Sequence, residues 1–190
     1  MGTRSRIGVM HGDVCKSVYC HWDGYLEHNG QILQDHYDSA KANNLVALGD
    51  LSSLQPKIGE EHPFGYHGTD MSAEEYNAKF SDMCTFYGRD RGETGTEFKA
   101  DLTFESFFER AEGCGAEWYY IMRDGVWYVG NTYERDTKFY KKLVLLSAAL
   151  LNDEPDSETQ ADLNETLGLD RGAPLEDLVA RIEELDGETA

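Results

Sequence analysis

Positive charge is what this sequence has least of: 17 Lys and Arg stand against 36 Asp and Glu, a net charge of −19 over 190 residues. Such a balance repels phosphate backbones and anionic lipid, which disfavours direct nucleic-acid binding through a broad basic face. Long apolar runs are missing too. The nearest approach, Val144 to Leu151, falls far short of the roughly 18 residues that a membrane span needs. Four cysteines, Cys15, Cys20, Cys84 and Cys114, form no Cys-x-x-Cys pair, so a zinc ribbon or thioredoxin-type motif is not indicated. The Walker lysine and the dinucleotide-binding glycine pattern are both absent. Arg4 and Arg6 sit near the start, with no apolar core of signal-peptide length around them. These absences together read as a chain of the cytoplasm with reduced thiols, outside the membrane.

What is present suffices for a folded core, since 40% of the residues are hydrophobic and 12% aromatic. Charge is unevenly placed. From Asn152 onward there are 13 acidic and 2 basic residues, so more than half of the net charge sits in the last fifth of the chain. Asn152-Asp153-Glu154-Pro155-Asp156 reads as a linker. The expected organisation is therefore a core domain over 1–151 and an acidic helical appendage over 152–190. In the appendage, Pro174 opens a last helix with an apolar stripe of Leu175, Leu178, Val179, Ile182 and Leu185. Its other faces carry Glu176, Asp177, Glu183, Glu184 and Asp186, which are candidate partner-binding residues.

Hydrophobic periodicity predicts an α+β core. Arg4 to Met10 and Val14 to Cys20 read as a hairpin about His11-Gly12-Asp13, and Asp124-Gly125 between aromatic-rich runs predicts a second one. Helices are expected near 30–48, 103–112 and 137–151, with Asp38, Thr103 and Thr137 as N-caps, and Ser72 with Glu75 forms a capping box for another. Asp50 to Thr69 reads as a loop. The resulting architecture is an antiparallel sheet of two hairpins packed by helices.

Two stretches are dense in chemistry. Cys20-His21-Trp22-Asp23-Gly24-Tyr25 holds a thiol, an imidazole, a carboxylate and two amphipathic aromatics. Thr85 to Gly95 places Arg89, Asp90, Arg91 and Glu93 among glycines, the character of an anion-binding loop or of an ion-pair network that braces itself. Candidate ligand-binding residues are His21, Trp22, Asp23, Tyr25, Tyr87, Arg89, Asp90, Arg91 and Glu93. The pairs His11-x-Asp13 and His21-x-Asp23 cannot share a metal, because seven strand residues put them roughly 20 Å apart. Cys20 and His21, as strand neighbours, point to opposite faces and make no nucleophile pair. No catalytic residue, metal or cofactor is indicated.

The runs Val18 to Tyr25, His36-Tyr37, Leu48 to Leu54 and Thr85 to Glu93 resemble a family of small proteins from tailed bacteriophages and related bacterial elements, one without an established activity. That resemblance covers the N-terminal half of the chain and implies a viral setting in the host cytoplasm. It gives the leading expectation: a phage accessory protein, without catalysis, that inhibits or modulates a host protein. The partner would be a basic protein of the nucleic-acid-handling or defence machinery, met by the acidic surface. A different class of function is a site for a phosphorylated ligand or nucleotide where the two dense stretches converge. A third is a virion or assembly component, with the last helix as a homo-oligomer seam.

Overall fold

A computed structural model of the chain describes residues 2–67, 69–133, 135 and 138–151. The acidic appendage expected over 152–190, with Glu176, Asp177, Glu183, Glu184 and Asp186, lies outside the described residues.

The opening hairpin forms as its sequence predicts. β1 (Ser5–His11) and β2 (Val14–Cys20) pair antiparallel, with Ser5 opposite Cys20 and His11 opposite Val14. A single wide turn at Leu26–Gly30 runs into α1 (Gln31–His36). Asp38 then caps α2 (Ser39–Ala47), its carboxylate accepting from the Lys41 N–H at 2.8 Å. The chain continues through β3 (Leu51–Ser53), α3 (Ala73–Phe80), β4 (Thr85–Phe86), α4 (Tyr87–Arg91) and β5 (Lys99–Asp101). It closes with α5 (Phe104–Gly113), β6 (Trp118–Arg123), β7 (Val126–Asn131), β8 (Val144–Leu145) and α6 (Leu146–Leu151). The expected capping box closes at Ser72 with Glu75, and the expected Thr103 cap closes as a second box with Ser106.

The class is α+β, but the sheet is mixed rather than antiparallel. Its order is β4-β3-β2-β1-β6-β7-β8, with β5 also on β2. The two hairpins lie side by side through β1 and β6, which run parallel with Ser5 opposite Trp118. β2 and β3 are parallel as well. Local turn chemistry sets the direction within a hairpin and says nothing of how two hairpins meet; the long segment between β2 and β6, which carries β3 to β5 and α1 to α5, decides that. Two further expectations are corrected. Asp50 to Thr69 contains β3, whose three residues are too few for a period-2 signal. The helix expected over 137–151 begins only at Leu146, because Val144 and Leu145 pair with Val129 and Tyr128 as β8.

Period-2 alternation on β6 sends Trp118, Tyr120 and Met122 to one face and Tyr119 and Ile121 to the other. On the first face they meet Leu33 of α1, Ala42, Leu45 and Val46 of α2, and Leu146 and Ala149 of α6. On the second, Tyr119 and Ile121 meet Phe107 and Phe108 of α5. The polar tips are satisfied: Tyr120 donates to Gly24 O at 3.0 Å and Trp127 Nε1 to Tyr37 O at 2.7 Å.

A candidate anion pocket at the corner of the sheet

β3 is where the two dense stretches meet. On one side, beyond the end of β2, the His21 N–H donates to Leu51 O at 3.1 Å and the Trp22 N–H to Ser52 O at 3.0 Å. On the other, Leu51 pairs with Phe86, and the Tyr87 N–H donates to Asp50 O at 3.1 Å. The sequence could not show this convergence, because it depends on a strand too short to read.

Each candidate residue then has a definite place. His21 accepts or donates at Nδ1 to the Tyr19 hydroxyl, 2.8 Å away, and meets the Trp22 ring edge-on at 4.6 Å. Trp22 is 45% exposed. Asp23 takes a left-handed backbone with φ 54, and its carbonyl accepts from the Asn29 N–H at 3.2 Å. Gly24 is required by packing, since a Cβ there would lie 2.6 Å from the Arg4 carbonyl carbon. Tyr25 leads into the wide turn beside His28.

The arginine loop takes the self-bracing form. Arg89 holds Asp90 through two hydrogen bonds and donates to Ile58 O, Gly59 O and Cys84 O at 3.0, 3.1 and 2.7 Å. It also stacks over Phe86. Asp90 accepts in turn from the backbone N–H groups of His62 and Phe86, at 3.1 and 2.7 Å. Arg91 pairs with Glu93 at the surface and lies over Phe64.

The free cationic chemistry lies beside this loop, on residues the sequence reading did not single out. Arg6, Tyr19, Asp50, Lys99, Arg110 and Cys114 line a pocket of about 370 Å³. Arg6 stands directly opposite Tyr19 across β1 and β2, and is 3% exposed. Its Nε donates to Ser17 Oγ at 2.9 Å and its Nη2 to Ser17 O at 3.3 Å. Nη1 makes only a long contact, 3.9 Å, with Cys114 Sγ. Among the described residues no carboxylate lies within ion-pair distance of Arg6 or of Lys99. Lys99 donates to Gly95 O at 3.3 Å. Arg110, by contrast, is held by Asp101, with Nε–Oδ2 and Nη2–Oδ1 both 2.9 Å.

Asp50 completes the wall in an unusual way. β2 pairs with β5 over Cys15 to Ser17 and with β3 at Cys20, which leaves a gap in the ladder at Tyr19. The Asp50 carboxylate fills it, accepting from the Tyr19 N–H at 2.8 Å. Burial pushes the Asp50 carboxyl above its ordinary range, against the pull of that hydrogen bond and of Arg6 and Lys99. Tyr19 is likewise raised by burial, opposed by the charge of Arg4. Burial drives the Cys15 and Cys20 thiols up to about 12, so neither is a nucleophile at neutral pH. No group of His, Cys, Asp and Glu suited to a metal ion occurs among the described residues.

No family model matches this chain, and no curated protein and no solved structure is similar to it. One signal was present in the sequence: Arg6 interrupts the apolar run of β1, with Arg4 just ahead of the strand at period-2 spacing.

Proposed function

We propose that this chain is a binding protein whose corner pocket takes a small phosphorylated, anionic ligand. Arg6 carries the reading. A guanidinium removed from water with no carboxylate in direct contact, Asp50 acting on it only from longer range, carries a desolvation cost that an anion in the pocket offsets. Lys99 adds a second cation, Asp101 is committed to Arg110, and Asp50 is the carboxylate left in the wall. In a chain of net charge −19 this concentration of cations is local, and charges farther off than about 8–10 Å are largely screened. The test is thermal unfolding of the full chain in phosphate and pyrophosphate at constant ionic strength. Ligand at a hundred times its Kd stabilises by about 2.7 kcal/mol. A melting temperature unmoved by either anion overturns the reading.

A second reading rests on the segment after Asn152, where 13 acidic residues face 2 basic ones. It keeps the phage setting implied by the resemblance: an accessory protein of the host cytoplasm that captures a basic host protein through its acidic surface. Replacing Glu176, Asp177, Glu183, Glu184 and Asp186 by their amides in the full chain should abolish capture of that partner from host lysate. Capture at the unmodified level would overturn it, and light scattering on the same samples would reveal a homo-oligomer seam.

A further inference from the structure

Resting on the anion-pocket reading, we infer that the ligand is a mononucleotide, its phosphate held at the Arg6 and Lys99 end and its base laid against Tyr19 and Tyr87. Four neighbouring strands place the groups side by side. Arg6 on β1 stands opposite Tyr19 on β2; Asp50 and Ser52 follow at β3; Tyr87 follows β4. Residues that alternate with Ile7, Val18, Leu51 and Phe86, all in the first core, share the opposite face of the sheet. Three interstrand spacings make this strip roughly 14 Å long. That is room for a phosphate, a sugar and a base in line.

Along the strip the groups come in the order Arg6, Tyr19, Asp50 with Ser52, and Tyr87, with Lys99 beside the first two. At one end the guanidinium of Arg6 and the ammonium of Lys99 match a phosphate, beside an Arg110 whose fork is already taken by Asp101. At the other, Tyr87 is half-buried just after β4, its N–H donating to Asp50 O at 3.1 Å, and Ser52 of β3 is 8% exposed. Aromatic faces of this kind stack bases. Asp50, between the two ends, offers an acceptor to sugar hydroxyls or to the amino groups of a base. On the same face of the sheet, the Phe107 and Phe108 rings of α5 pack on Tyr119 and Ile121, away from this strip. A nucleic-acid polymer fits less well, because its continuous phosphate backbone would meet the acidic remainder of the chain.

The experiment is isothermal calorimetry on the full chain with inorganic phosphate, ribose phosphate, purine mononucleotides and a short single-stranded oligonucleotide. The expected result is a mononucleotide bound about tenfold more tightly than ribose phosphate. Tyr87→Leu should remove that increment while leaving the ribose phosphate affinity unchanged, and Lys99→Gln should weaken every phosphorylated probe. Should Tyr87→Leu fail to fold, transferred NOEs between base protons and tyrosine ring protons in the unmodified chain give the same answer. Ribose phosphate and mononucleotides binding equally well would overturn the nucleotide inference and leave the anion pocket standing. Tighter binding of the oligonucleotide would overturn it in favour of a polymer. No binding by any probe would overturn both readings.

Discussion

Arg89 grips the carboxylate of its own sequence neighbour, Asp90, with Nε–Oδ1 at 2.7 Å and Nη2–Oδ2 at 2.9 Å. The Asp90 side chain is wholly buried, so this pair also fixes the backbone of His62 and Phe86 around a shared charge. Truncating Arg89 would leave that carboxylate without its guanidinium. Arg89→Ala is expected to destabilise the chain by about 3–5 kcal/mol in urea denaturation. Arg91→Ala, in a pair whose side chains are 55% and 43% exposed, should cost within about 1 kcal/mol. Equal losses at the two positions would refute the bracing role of Arg89.

The thiols set an alkaline limit. Cys15 and Cys20 are held neutral in the folded chain up to about 12, against an ordinary value of 9.0. Their contribution to stability is complete below pH 9 and is lost as pH rises toward 12, because the unfolded chain ionises first. The loss is on the order of 4 kcal/mol per thiol. Urea midpoints between pH 8 and pH 12 measure it, and Cys20→Ala should flatten the slope.

Accessible thiol chemistry should belong to Cys114, since Cys15, Cys20 and Cys84 are buried. Ellman's reagent at pH 8 should titrate one thiol quickly in the native chain and all four in denaturant. The fast phase should vanish in Cys114→Ser, and it should slow when phosphate fills the pocket that Cys114 lines.

Asp50 faces the proposed ligand with the wrong charge. Its carboxyl is raised by burial, so protonation begins above the ordinary range for aspartate and removes a negative charge from the pocket. Phosphate binding should tighten as pH falls through that raised value. Asp50→Asn keeps an oxygen for the Tyr19 N–H, and should bind phosphate more tightly at neutral pH with the acid-side dependence gone. Folding has the same sign: burial penalises the charged form, so the asparagine variant should lose no stability above the Asp50 titration.

Gly24 and Gly12 separate packing from backbone conformation. A Cβ on Gly24 would strike the Arg4 and Ser5 backbone at 2.6–2.8 Å, and the strand must shift to admit it. Gly12 has φ +57 and nothing within 4 Å of a Cβ. Gly24→Ala should therefore cost about 1–3 kcal/mol or more, and Gly12→Ala about 1 kcal/mol, by thermal or urea unfolding.

The sequence determined what depends on neighbours along the chain: both hairpins, the caps at Asp38, Ser72 and Thr103, and the apolar faces that make an α+β core. Each rests on contacts within a few residues, where turn chemistry and side-chain period act directly. Tertiary structure decided the rest. β3 exists only because Cys20 and Phe86 flank it, and the parallel meeting of β1 with β6 follows from a crossover no local pattern encodes. The same holds for the site. Arg89 and Arg91 drew attention because charge and glycine crowd together in the sequence, yet Arg89 is spent on bracing the loop. Arg6, Lys99 and Arg110 come from β1, β5 and α5, and acquire a common purpose only when the sheet brings their charges around one pocket.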